Sequence, residues 1–252
     1  MTRRRYELTD HEWSVLSPLL PNKPRGVPRV DDRRVLNGIL WRFRTGSPWS
    51  EIPERYGPPT TCYNRFVRWR KAGVWDRLLR AVSEACDGDI VMIDSTLCPR
   101  ASARGHGKKG ARDDGGMGRS RGGLTSELHA LVDAEGRPVA PRLTAGQVAD
   151  CAQADALTDD LAEGAILIAD RGYDTDALRA KAVERKLWAN IPPNREGVFA
   201  FSGWVYRQRN LVERFFNRIK QFRGIATRYD KDPENFLAAV KLTAARIWCQ
   251  SL

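Results

Sequence analysis

The sequence has no C-x-x-C pair. Its five cysteines, Cys62, Cys86, Cys98, Cys151 and Cys249, are scattered along 252 residues, which argues against a structural zinc site of the usual spacing and against a disulfide framework. Reduced thiols in a cytoplasmic protein are the simple expectation. No apolar run approaches the roughly 20 residues needed to cross a bilayer. Met1 to Arg5 is basic, but the apolar stretch that a secretory signal requires does not follow it. Histidine is scarce too. His106 stands alone in a Gly-rich segment and His129 alone in a strand-like run, so neither has companions with which to form a ligand set.

What the chain has is basic charge: 42 Lys plus Arg against 31 Asp plus Glu, a net +11. On an enzyme-sized chain such an excess favours a polyanionic partner, usually nucleic acid, although a soluble protein can be basic without one. The length suits one large domain or two small ones, and it can bury a true core.

Residues 1–85 read as helical. Thr9-Asp10-His11-Glu12 fits a capping box, and Trp13, Leu16, Leu19 and Leu20 follow at helical spacing. Asp31 and Asp32 suit a helix N-terminus. Val35, Leu36, Ile39, Leu40 and Phe43 supply that helix with an apolar face, and Gly46 is placed to end it. Residues 49–56, the turn Gly57-Pro58-Pro59 and a basic segment over 60–71 give the outline of a helix-turn-helix unit. Asn64, Arg65, Arg68 and Arg70 are left for a solvent or DNA face. An ordinary small bundle with a charged face has the same pattern. Residues 74–84 read as a fourth helix.

The pattern changes near Gly88. Ile90-Val91-Met92-Ile93 reads as a short buried strand ended by Asp94. Residues 99–123, rich in Gly, Arg and Lys, cannot bury a core and are expected to be mobile, as a plain surface loop or as a clamp on DNA. Residues 124–134 and 138–144 read as a hairpin around Glu135-Gly136-Arg137. A helix over 150–161, a strand over 165–169 ended by Asp170, a helix over 175–186 and a strand over 187–191 follow. A long helix over 205–222 and a last one over 232–248 complete an α/β layer arrangement with a mixed sheet.

Two short apolar strands therefore each end in aspartate. Strand ends at the edge of an α/β sheet tend to carry catalytic groups, although aspartate is also common there as a turn former. The long helix supplies a third acid. On a wheel of ~100° per residue, Tyr206, Arg209, Glu213 and Lys220 gather on one face, and Val212, Phe215, Ile219 and Phe222 gather roughly 130° away. Three carboxylates suit a hard cation such as Mg²⁺. A solvated, helix-stabilising charge row is the bland alternative for that face.

Tyr206-x2-Arg209-x3-Glu213-x6-Lys220 matches the Y-R-E-K signature of bacterial insertion-sequence transposases with a DDE active site. Ile93-Asp94-Ser95-Thr96, Ala169-Asp170-Arg171-Gly172-Tyr173-Asp174 and Gly118-Arg119-Ser120-Arg121-Gly122-Gly123 resemble the same family. So does the N-terminal stretch, from Tyr6-Glu7-Leu8-Thr9 to Trp75-Asp76, so the likeness runs over nearly the whole chain. The sequence departs from the family at Gly224, where members often carry a second arginine.

The resemblance implies an RNase H-like mixed sheet flanked by helices over 86–252. An all-helical, helix-turn-helix-type domain over 1–85 would precede it. It puts the catalytic and metal-binding positions on Asp94, Asp170 and Glu213, holding two Mg²⁺ ions per active site, with Mn²⁺ as a substitute. The implied chemistry is in-line phosphoryl transfer, with Asp94 bridging both ions. Tyr206, Arg209 and Lys220, together with Asn64, Arg65, Arg68, Arg119 and Arg121, are the expected DNA contacts; salt-bridging that positions the acids is the alternative for Arg209 and Lys220. The expected partners are double-stranded DNA, as terminal inverted repeats and target, and a second copy of the chain on that DNA. A metal-dependent nuclease without strand joining and a DNA-binding repressor of the element are the competing readings.

Overall fold

The computed structural model describes residues 6–21, 30–84, 86, 88–101, 118–120, 123–145, 154, 156–159, 161–194 and 199–251. They form two compact units, Met1–Glu84 with Ile219–Leu252, and Ala85–Arg218. One boundary falls between residues 84 and 85; the last 34 residues, which the sequence groups with the second domain, pack with the N-terminal helices. No helix among the described residues is long and apolar enough to cross a membrane.

The first unit is helical: α1 (Asp10–Leu16), α2 (Asp32–Thr45), α3 (Pro59–Lys71) and α4 (Val74–Ser83). The capping box is present, with Glu12 N–H donating to Thr9 Oγ1 at 2.9 Å and Thr9 N–H to Glu12 Oε2 at 2.6 Å. The short helix expected ahead of α3 is two single 3-10 turns, Trp49–Glu51 and Glu54–Tyr56. Rings of Phe43, Trp49, Phe66, Trp69 and Trp75 meet edge-on or tilted in the core. The C-terminal helix, here called the closing helix (Pro233–Cys249), buries Phe236, Val240, Ala244, Ile247 and Trp248 and packs on α4, α1 and α3. Its Arg246 reaches Glu12, with Nε 3.1 Å from Oε1, and both side chains are buried. Glu12 therefore serves the cap and the closing helix together.

The second unit is built on one sheet: β1 (Ile90–Pro99), β2 (Gly118–Ser120), β3 (Gly123–Asp133), β4 (Pro138–Ala145), β5 (Ile166–Ile168) and β6 (Trp188–Asn190). β1 is central. It pairs antiparallel with β3, which carries β2 and β4, and parallel with β5, which pairs parallel with β6. Four strands joined by antiparallel pairing, β1 to β4, continued by β5 and β6 parallel to β1, give the RNase H-like mixed sheet. A helix over Asp176–Glu184, capped by Thr175, joins β5 to β6. Val91, Ile93, Leu131, Leu167, Tyr173, Leu178 and Ile191 form the core on one face. Most of the expected 99–123 loop and half of the expected 150–161 helix lie outside the described residues.

The β3–β4 hairpin turns as its Glu-Gly-Arg sequence predicts, with Gly136 at φ 75°. Its anchor is Asp133, which accepts from the N–H groups of Glu135 at 3.1 Å and Arg137 at 2.7 Å and from Arg137 Nε at 2.6 Å. The carboxylate is 2% exposed. Asp133→Ala takes the acceptor from two turn amides and one of the two carboxylates from Arg137, which keeps Glu135 at 2.6 Å, so the protein is expected to lose about 2 kcal/mol. Urea unfolding checks this; a loss below about 1 kcal/mol would show that water replaces the carboxylate.

Candidate active site

β1 is longer than its apolar run, so Asp94 sits inside a strand and not at its end. Its position is still an edge of a kind. β5 pairs β1 only as far as Met92, opposite Ile168, and beyond that point β1 has β3 alone, with Asp94 opposite Ala130. Asp94 thus lies just past the carboxyl end of the parallel strands, where an open α/β sheet leaves a crevice. Asp170 follows β5 by two residues and caps the 3-10 turn Arg171–Tyr173, accepting Gly172 N–H at 2.8 Å. A Cβ at residue 172 would stand 3.0 Å from Asp170 Oδ1, so glycine leaves room for the carboxylate to fold back.

The expected continuous helix over 205–222 is broken. Gly203–Tyr206 is one α-helical turn, Arg207–Arg209 is 3-10, and the helix that carries Glu213 runs over Asn210–Lys220. Glu213 lies in its first turn. The tighter 3-10 turn interrupts the 100° periodicity assumed for Tyr206, Arg209 and Glu213.

The three acids meet on Arg209. Its Nη2 donates to Asp94 Oδ2 at 2.7 Å and its Nη1 to Glu213 Oε1 at 2.8 Å. Asp170 Oδ2 lies 3.9 Å from Nη2. The Arg209 Nε is buried and has no acceptor among the described residues. Exposure is graded, from 13% for Asp94 through 37% for Asp170 to 56% for Glu213. Burial pushes the Asp94 carboxyl up to about 6; Arg209 and the Ser95 N–H pull it down, and Asp170 and Glu213 push it up further. As placed, no three His, Cys, Asp or Glu side chains among the described residues form a group that could hold a metal ion. The guanidinium occupies the point on which the carboxylates converge.

The family described as Transposase DDE domain matches residues 85–248, and Putative transposase of IS4/5 family matches residues 8–79. The chain belongs to the transposase DDE domain family. It is similar to a putative transposase for insertion sequence element IS6501 from Brucella ovis, 40% identical over 128 residues, which are 50% of this chain and 98% of that one. An uncharacterized protein of Sinorhizobium fredii is 34% identical over 92 residues, 36% of this chain and 74% of its own. A pre-cleavage Mos1 transpososome structure matches at 12% identity over 92% of this chain and 81% of the other, with a TM-score of 0.28.

The expected DNA contacts of the transposase divide. Asn64 and Arg68 are exposed on α3. Arg65 is a correction: it is 8% exposed, hydrogen-bonded to Asp32 and stacked over Trp69 at 5.3 Å. That guanidinium is spent inside the bundle and is not available to a phosphate. Arg209 shows the salt-bridging alternative. Tyr206 is half-buried, its ring 5.4 Å from Phe201 in an edge contact. Lys220 lies at the end of the Glu213 helix, within the first unit. The backbone of Arg119 pairs with Leu124 between β2 and β3, and Arg121 lies outside the described residues. The family departure at Gly224 has a steric reason: a Cβ there would stand 3.1 Å from Phe43 O and 3.2 Å from Phe43 Cα.

Sequence reasoning did not single out Arg44 and Arg223, which line a cavity in the first unit. Neither belongs to a motif, and only the fold brings them together.

Proposed function

We propose that this transposase binds the terminal inverted repeats of its element, cleaves the ends and joins them to target DNA. Asp94, Asp170 and Glu213 are the catalytic residues and hold two Mg²⁺ ions, with Mn²⁺ as a substitute. The observation that carries this is the convergence of three carboxylates, from β1, the turn after β5 and a helix, on one guanidinium. Acids that gather around a cation at the open edge of a sheet are arranged for positive charge, and an all-oxygen donor set suits a hard divalent ion.

Bound divalent ions supply Lewis-acid polarisation of the scissile phosphate and ease deprotonation of the attacking hydroxyl. The chain's own part is positioning. Asp94 is fixed by its strand, Asp170 is aimed by the Gly172 amide, and Glu213 is the most exposed of the three. Arg209 must leave the acids for a metal to enter. Its departure frees a forked donor suited to a DNA phosphate.

Joining two ends requires two active sites, so the acting form is a homodimer on DNA. Incubation with Mg²⁺ and duplexes carrying the element's own ends is expected to give end cleavage and joined products from a dimeric complex. Cleavage without joining would replace this proposal with a nuclease. A joining-competent monomer on end DNA, seen by sedimentation, would remove the dimer from it.

A further inference from the structure

The arginines of the first unit are mostly spent on internal partners. Arg42 pairs with Asp230 at 3.0 Å, Arg70 with Asp232 at 2.6 Å and Glu234 at 2.9 Å, and Arg246 with Glu12 at 3.1 Å. Arg65 pairs with Asp32. Arg44 and Arg223 differ. Among the described residues neither has an acidic partner, and both line one cavity of about 410 Å³ with Tyr6, Thr45 and Gln221.

The Arg44 guanidinium is held without a counter-charge. It stacks over the rings of Tyr6 at 5.4 Å and Phe222 at 5.1 Å, and its Nη1 and Nη2 both donate to Gln221 Oε1 at 3.2 Å. Ring stacking and a neutral acceptor fix its plane while its charge stays uncompensated. Arg223 is exposed at the first position of a short helix, Arg223–Ala226. Among the described residues no acid lines the cavity. Two guanidinium groups facing one polar cavity without an acid have an anion as their natural complement.

We propose that Arg44 and Arg223 form a phosphodiester-binding subsite for the DNA backbone, made of residues other than the three acids and the exposed residues of α3. The cavity is far larger than the roughly 30 Å³ share of one water, leaving room for a phosphate with its solvation. Backbone contacts of this kind position the duplex and carry no sequence information. The subsite therefore holds duplexes of any sequence and needs no metal.

The test is fluorescence anisotropy of the full chain with a labelled duplex of arbitrary sequence, in EDTA, across a salt series. Working without metal keeps its outcome distinct from that of the catalytic proposal. Arg223→Gln, an exposed change with no partner to lose, is expected to weaken binding about fivefold and to reduce the log–log salt slope by about one. Arg44→Gln should do the same, while Arg223→Lys, which keeps the charge, should keep the slope. Arg80→Gln removes an equal charge from the exposed face of α4 and should leave the slope unchanged. An unchanged slope in Arg223→Gln would overturn the proposal, and so would an equal drop in Arg80→Gln, which would reduce the effect to net charge. Calorimetry with inorganic phosphate separates the other source: phosphate binding lost in Arg223→Gln while duplex affinity holds would make this a small-anion site and not a DNA subsite.

Discussion

Asp94→Asn and Glu213→Gln are each expected to lower end cleavage and joining by ~10³-fold or more, the scale of removing one preorganised electrostatic group from a transition state. Duplex binding measured in EDTA should stay within about twofold of the unmodified protein, because phosphate contacts and not the acids hold DNA. A nicking assay on the element's ends reads the first quantity and anisotropy the second. Asp94→Asn that still nicks at near the normal rate would falsify the assignment of the first acid.

Asp94 also carries a stability signature that does not depend on activity. Its folded carboxyl holds a proton up to about pH 6, whereas an unfolded aspartate releases it near ~3.9. Between those values the folded state binds more protons, so this group's contribution to stability falls as pH rises. Asparagine does not titrate. Metal-free Asp94→Asn should therefore gain on the unmodified protein by roughly 3 kcal/mol between pH 4 and pH 7, about two pKa units at ~1.4 kcal/mol each. Urea unfolding in EDTA at the two pH values measures this. A difference independent of pH would mean that burial does not hold the Asp94 proton. The expected gain is the cost of keeping a half-desolvated carboxylate ready for a cation.

Arg209→Gln is expected to have the next largest effect, in two opposite directions. In EDTA the three carboxylates lose their shared cation, and the fold should weaken by about 2 kcal/mol, discounted from a fully buried pair because Glu213 is 56% exposed. Mn²⁺ should then bind about tenfold more tightly, since no guanidinium has to be displaced first. Mn²⁺ should also restore the lost stability. Titration followed by Mn²⁺ electron paramagnetic resonance gives the affinity, and thermal unfolding with and without the ion gives the rest. Unchanged Mn²⁺ affinity would mean that the guanidinium and the ion do not compete, and the acids would then need another account. Cleavage should fall despite tighter metal binding, because glutamine lacks the guanidinium fork that Arg209 would offer to a phosphate.

Local signals in the sequence were enough for most elements. The capping box at Thr9, the Asp31 cap, the hairpin around Gly136 and the apolar runs before Asp94 and Asp170 all appear as expected, because each depends on neighbours within a few residues. The Y-R-E-K spacing likewise placed Arg209 and Glu213 within reach of each other, and they pair at 2.8 Å. A periodicity argument could not see the 3-10 turn at Arg207–Arg209 or the extension of β1 through Asp94 to Pro99. The extension is held by β3, whose register with β1 the apolar pattern of β1 does not encode.

The sequence by itself determined the family, the three acids as candidates and the basic character that suits DNA. Only the tertiary structure decided where each charge is spent. The sequence leaves Arg65 for a solvent or DNA face, yet Asp32 and Trp69 claim it within the bundle. Arg44 and Arg223 belong to no motif, yet the fold leaves them facing a cavity that has no acid among its described lining residues. The closing helix joined the N-terminal bundle because its apolar face and Arg246 find α4 and Glu12 there. A charged residue's role depends on whether a counter-charge lies within a few ångströms. For residues as far apart in the chain as Glu12 and Arg246, chain folding sets that distance, and no local pattern records it.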